Sequence, residues 1–130
     1  CDELKCRDQI IATNKFCYNA QCHENTRLLV RELELSPSKY SLCYQSRFGK
    51  KWLMPFADKE IEELAARGVK NLLIVPLSFV ADCLETRLEI EIEYRELFIE
   101  KGGQKLMMPE SLNAGDDWVK ALIKIIHRTS

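Results

Sequence analysis

Apolar residues recur at helical spacing in several stretches of the chain, and short apolar runs lie between them. Leu28, Leu29 and Leu33 alternate with Arg27, Arg31, Glu32 and Glu34, which predicts a helix from about His23 to Glu34, ended by Ser36-Pro37-Ser38. Residues 1–22 show no clean apolar period. Tyr40 to Gln45 reads as a short strand, and residues 46–56 as a connection holding Gly49, Trp52 and Pro55. Asp58 stands where a helix cap belongs, Ile61, Leu64 and Ala65 form the stripe behind it, and Gly68 marks its end. Val69 to Leu77 carries Leu-Leu-Ile-Val without a polar break, as a strand covered on both faces of a parallel sheet does. A long helix follows from about Asp82 to Lys101, with Gly102-Gly103 behind it. Gln104 to Met108 is a third strand, and a last helix from about Asp116 to His127 puts Trp118, Leu122, Ile125 and Ile126 on one face.

Strands alternating with helices predict the α/β class: a three-layer arrangement, a parallel sheet flanked by helices. In such sheets functional groups gather beyond the carboxyl ends of the strands. Two segments qualify, the one after residues 40–45 and the one after residues 69–77. The length of 130 residues suits a single domain with its own core. Nineteen basic against twenty acidic residues leave a charge of -1, without the basic surplus of a nucleic-acid binder. No apolar run reaches the roughly 20 residues of a membrane span, and no secretory signal pattern is present. The chain opens on Cys1 rather than Met, which reads as an excised domain.

The segment after the central strand carries the most chemistry. Glu85, Glu89 and Glu93 are four apart, so on an α-helix each is turned by about 40° from the last and they form one acidic stripe. Asp82 opens it, and Leu84, Leu88 and Ile92 form a neighbouring apolar stripe able to anchor the helix. A line of carboxylates at a strand's carboxyl edge can take protons from a substrate or pass hydrated cations along. Two plainer readings stand beside this one. Asp82 with Glu85 fits a capping box, and Glu89, Glu91 and Glu93 fit a solvated face.

Cysteines are concentrated at one end, as Cys1-x4-Cys6-x10-Cys17-x4-Cys22. Two close pairs joined by a loop can converge on one centre, and four thiolates suit a tetrahedral zinc or a [2Fe–2S] cluster. The spacing alone does not choose between them. These residues are little apolar, so without a metal the segment is expected to be disordered. The organisation read from the sequence is therefore a four-cysteine segment at 1–22 and an α/β domain at 23–130.

Three motifs carry a family resemblance. Pro76-x-x-Phe79-x-x-Asp82-x-x-Glu85-Thr86-x-x-Glu89-Ile90 resembles the ferrochelatase signature. Tyr44-Gln45-Ser46-Arg47-Phe48-Gly49 followed by Trp52-Leu53-x-Pro55 is similar to another family segment, and so is Ser111-Leu112-Asn113 before the last helix. The resemblance spans about residues 22–130 and implies the C-terminal, chelatase-like half of a bacterial cytoplasmic enzyme that inserts ferrous iron into a porphyrin in haem synthesis. Any membrane association would come through the upstream half.

Residue by residue, the resemblance implies that Glu85 removes pyrrole protons or handles metal. It implies that Glu89 and Glu93 continue from the site along the helix, and that Asp82 opens the motif. It places Ser46 and Trp52 in the porphyrin pocket; for Trp52 an ordinary core aromatic is the alternative. Cys83 stands where many members carry His, either as a soft ligand near the substrate or as a small buried apolar residue. The family's catalytic His belongs to a Ser-x-His-Gly segment in the N-terminal half. Neither His23 nor His127 has that context, so the fragment alone is expected to be nearly inactive. Some bacterial members hold a [2Fe–2S] cluster in an inserted four-cysteine segment, which turns the reading of Cys1, Cys6, Cys17 and Cys22 from zinc toward the cluster. The rival readings are a non-catalytic iron–sulfur or zinc-binding domain, and a related chelatase for cobalt or another tetrapyrrole.

Overall fold

The structure is a computed structural model that describes residues 5–47 and 52–129. The chain divides into two compact units, residues 1–63 and 64–130, with the division inside one helix.

In the first unit, helix α1 spans Tyr18–Glu32, five residues earlier at its start than the apolar period suggests. The extra turn carries Asn19 and Ala20, which are the helix's buried residues. Its stop is not the Ser-Pro-Ser triplet. Glu34 adopts a left-handed φ of 52°, and Leu35 N–H reaches back to the Val30 carbonyl at 2.9 Å, which closes the helix in the Schellman manner before Ser36. The strand expected at Tyr40–Gln45 reduces to one parallel bridge between Tyr44 and Phe56. Tyr44 N–H donates to the Pro55 carbonyl and Ala57 N–H to the Tyr44 carbonyl, both at 2.9 Å. Helix α2 spans Ala57–Ala66. Asp58 sits inside its first turn rather than capping it, and pairs with Arg47, whose guanidinium also lies 4.5 Å over the Phe56 ring. Ile61 is buried as expected.

Within residues 5–17 one side-chain amide joins several parts of the loop. Asn14 is almost fully buried; its Oδ1 accepts from Ile11 N–H at 2.7 Å, and its Nδ2 donates to the Gln9 carbonyl at 3.0 Å and the Cys6 sulfur at 3.8 Å. Arg27 ties this loop to α1, donating to the Arg7 carbonyl at 2.6 Å while it pairs with Glu24. The buried Tyr44 hydroxyl donates to Asn19 Oδ1 at 2.6 Å.

The second unit begins with the end of α2. Gly68, at φ 87°, provides the stop its sequence position promises, and Val69 N–H returns to the Leu64 carbonyl at 3.1 Å. Strand β1 spans Asn71–Leu73 and pairs in parallel with β2, Lys105–Met107, in the register Asn71 to Lys105, Leu72 to Leu106 and Leu73 to Met107. The α/β class with a parallel sheet therefore stands, as a two-stranded sheet among the described residues. β1 is not covered on both faces: Asn71 and Leu73 are exposed, Leu73 at 56%, and Leu72 is half-buried.

The helix after β1 is wound differently from the expected one. Glu85–Tyr94 is a π-helix of 10 residues, which runs directly into α3, Arg95–Glu100. π-helices close i→i+5 hydrogen bonds, are rare, and occur mostly as single-turn bulges inside α-helices, frequently at functional sites. The anchoring face also differs. Leu84, Leu88 and Ile92 are 75%, 45% and 47% exposed, whereas Thr86, Ile90, Tyr94 and Phe98 are buried, at every fourth position. That face meets β2, whose Leu106 is buried with it. Gly102, at φ 98°, ends α3. Helix α4 spans Asp116–Thr129, and most of its expected apolar face stays exposed, Leu122, Ile125 and Ile126 included. No helix among the described residues is long and apolar enough to cross a membrane.

Candidate functional site

Residues 74–84 carry the chain from the carboxyl end of β1 to the π-helix, and the expected acidic residues lie there and along that helix. The first turn is closed by Thr86 rather than by the expected Asp82–Glu85 box. Thr86 Oγ1 accepts from Cys83 N–H and donates to the Cys83 carbonyl, both at 3.0 Å. This reciprocal pair satisfies two main-chain groups with one buried hydroxyl. Thr86 lies within the Pro76–Ile90 motif, and its three-residue spacing from Cys83 is the signal in the sequence.

Asp82 is bound instead to the loop before α4. Its N–H donates to Asn113 Oδ1 at 2.9 Å, and its Oδ2 accepts from Asn113 Nδ2 at 3.2 Å. Ser111 and Asn113 together hold its carboxyl below the usual Asp range. The Ser111 Oγ is buried beside it without completing a well-aligned hydrogen bond. Glu85 lies within the 83–86 turn and is exposed. Its own backbone N–H and the Cys83 thiol hold its carboxyl below the usual Glu range, so it is ionised at neutral pH. Cys83 is half-buried.

Further along, Glu89 is half-buried and accepts from the Tyr94 hydroxyl at 3.2 Å, a five-residue spacing that matches the π winding. Arg87 pairs with Glu91 at 3.0 Å, and Glu93 is exposed. Four residues overshoot one α-helical turn but fall short of one π-helical turn, so Glu85, Glu89 and Glu93 still share a face, drifting the opposite way around the helix. Such a row offers carboxylates at successive heights, which suits proton acceptance at one end and cation passage along it.

In the first unit Ser46 is exposed. Trp52 is half-buried and stacked on Tyr18, with ring centroids 6.5 Å apart. Phe48 and Gly49 of the Tyr44–Gly49 motif lie outside the described residues, as does Cys1. Of the other three clustered cysteines, Cys6 is buried and lies close to Cys17. Cys17 occupies the N-cap of α1, where the Ala20 N–H, ahead of the Asn19 N–H, lowers its pKa although neither closes a capping bond of good geometry. Cys22 is half-buried within α1. Among the described residues no three His, Cys, Asp or Glu side chains converge as a metal site. Cys22 therefore does not join Cys6 and Cys17 as a third donor.

Cys43 behaves differently. Burial, with Glu60 adding to it, pushes its thiol up to about 11. At pH 8 it is expected to react with iodoacetamide roughly a hundredfold more slowly than a free thiol, because only the thiolate attacks. Mass spectrometry of the alkylated, native chain reads this directly; prompt labelling of Cys43 would contradict it.

Comparison with known proteins matches residues 7–130 to the family model described as Ferrochelatase. The chain is 42% identical over 124 residues to a ferrochelatase of Ectopseudomonas mendocina, covering 95% of this chain and 36% of that protein. It is 40% identical to one from Coxiella burnetii (92% and 34%) and 39% identical to one from Legionella pneumophila (88% and 35%). The chain thus spans about a third of the length of the curated relatives it matches.

Proposed function

The chain belongs to the ferrochelatase family, and from that premise we propose that it is the C-terminal part of an enzyme that inserts ferrous iron into a porphyrin during haem synthesis. The observation that carries the proposal is the Asp82–Glu93 row, which starts beyond β1 in a turn closed by Cys83 and Thr86 and continues along a π-helix. Iron insertion removes two protons from the macrocycle and strips water from the ion. Glu85, ionised and at the start of the row, is the group to accept a pyrrole proton. Glu89 and Glu93 pass protons or hydrated iron along the same face. Asp82 holds the entrance, Cys83 borders it, and Ser46 and Trp52 contribute to the porphyrin pocket.

The partner in this reading is an N-terminal half that supplies the catalytic His, so the 130 residues alone are nearly inactive. Cys1, Cys6, Cys17 and Cys22 bind a [2Fe–2S] cluster. The burial of Cys6 close to Cys17, which brings two of the four thiols together, supports this. Bound there, the cluster would tie residues 1–22 together through four thiolates.

One set of measurements on anaerobically purified protein tests these statements: a visible spectrum, iron, sulfide and zinc analysis, and an iron-insertion assay with and without the N-terminal half. Sulfur-to-iron bands with about two irons and two sulfides per chain are expected, with insertion only when the halves are combined. Zinc in place of iron would overturn the cluster assignment alone. Brisk insertion by the 130-residue chain would overturn the need for the other half. No insertion by the combined halves would remove the enzymatic reading.

A further inference from the structure

Asp82 is gripped on two sides by one residue. Asn113 accepts its main-chain N–H at 2.9 Å and donates to its carboxylate at 3.2 Å, while Asn113's own N–H donates to the Val80 carbonyl at 2.9 Å. Asn113 makes these bonds from a left-handed backbone, φ 47°, which Asn tolerates better than most residues with a side chain. Behind it the loop is closed by Gly115 N–H donating to the Leu112 carbonyl at 2.9 Å, and Ser111 Oγ is buried beside the Asp82 carboxylate. The turn that directly follows Asp82 is closed by the Cys83–Thr86 pair, and Glu85 sits inside it.

We propose that Asn113 is a positioning residue that sets the direction of the Asp82 carboxylate and, through the closed 83–86 turn, that of Glu85. This rests on the reading of Asp82 and Glu85 as carboxylates of the insertion site. The contacts form a continuous sequence: Asn113 to Asp82 by two side-chain bonds, then Cys83 to Thr86 by two more, with Glu85 facing its own N–H and the Cys83 thiol. A loop staple and a positioning residue differ in what they require. A staple needs only the left-handed backbone. A positioning residue needs the amide, with its acceptor and its donor both used.

Two substitutions separate these roles. Asn113→Gly keeps the backbone conformation and removes both side-chain bonds. Asn113→Asp keeps an acceptor for the Asp82 N–H and sets a carboxylate against the Asp82 carboxylate. In NMR spectra of the 130-residue chain, exchange of the Asp82 amide is expected to rise about tenfold or more in Asn113→Gly and to return near wild type in Asn113→Asp. The Asp82 carboxyl carbon shift should move in both. In the full-length enzyme that carries this sequence, kcat for ferrous insertion is expected to fall about tenfold in both variants, with KM for porphyrin within about twofold of wild type.

Unchanged Asp82 signals, or an unchanged kcat in Asn113→Gly, would overturn the proposal. So would loss of the folded spectrum in both variants, since the role would then be structural alone. Glu85→Gln in the same assay distinguishes the two levels. If Glu85→Gln abolishes insertion and Asn113→Gly does not affect it, positioning fails while the site stands. If Glu85→Gln leaves insertion intact, the site reading fails and the proposal with it.

Discussion

Glu85→Gln in the full-length enzyme is expected to lower ferrous insertion by about two to four orders of magnitude, the usual contribution of a positioned proton acceptor. Gln matches Glu in size and keeps an acceptor oxygen, so the 83–86 turn should survive, and the loss should appear in kcat rather than in porphyrin affinity. The carboxyl is exposed in this chain, and its own N–H and the Cys83 thiol hold its pKa down. A low pKa keeps the acceptor empty at neutral pH but makes it a weak base. An apolar macrocycle laid over it would strip its water and raise the pKa, which strengthens the base where it is needed. Steady-state rates with saturating porphyrin check this. A kcat within about threefold of wild type would take Glu85 out of the proton transfer.

Phe98→Ala is expected to destabilise the second unit by about 3–5 kcal/mol, as removal of a fully buried aromatic does. The Phe98 side chain has 0% exposure on α3, in line with Thr86, Ile90 and Tyr94. Its space is closed from the other side by Gly103, where even a Cβ would come within 2.4 Å of the ring, and Gly103 N–H donates to the Phe98 carbonyl at 2.8 Å. Backbone this tightly held collapses poorly into a cavity, which puts the cost toward the upper end. Urea unfolding followed by circular dichroism measures it. A midpoint equal to that of the native sequence would show that this face does not hold the helix on the sheet.

How much of this could be read from residue order varies along the chain. Apolar period announced the helices, though not the first turn of α1, and glycine announced two of the stops: Gly68 and Gly102 both take the left-handed conformation their positions demand, whereas α1 ends at a left-handed Glu34. The acidic row was legible because spacing by four keeps side chains on one face under either helical winding. For the same reason the π winding was not legible, since apolar period does not separate it from an α-helix over this length. The anchoring face was misread because Leu84, Leu88 and Ile92 are more apolar than a face containing Thr86. Packing on β2 chose Thr86, Ile90, Tyr94 and Phe98, and the Thr86 hydroxyl is satisfied by Cys83.

Non-periodic segments were harder to read. Nothing in the order of residues 5–17 announces that the buried Asn14 amide would organise them. At Tyr40–Gln45 strand propensity was present, but pairing extends to a single bridge with Phe56. At the candidate site, Asp82 and Glu85 were visible by motif. The bonds of Asn113 to Asp82 join residues 31 apart in the chain and were not.

The parallel pairing of β1 with β2 bears on the order in which the chain assembles. Asn71 cannot meet Lys105 by a local hairpin; the whole π-helix and α3 lie between them. Closing so long a loop costs entropy before any strand hydrogen bond forms, and pairings distant in sequence are slow for that reason. Helical turns form far faster than distant strands pair. The connection between the two strands is expected to shorten as its helical turns form, so that winding the acidic helix lowers the cost of bringing Asn71 to Lys105.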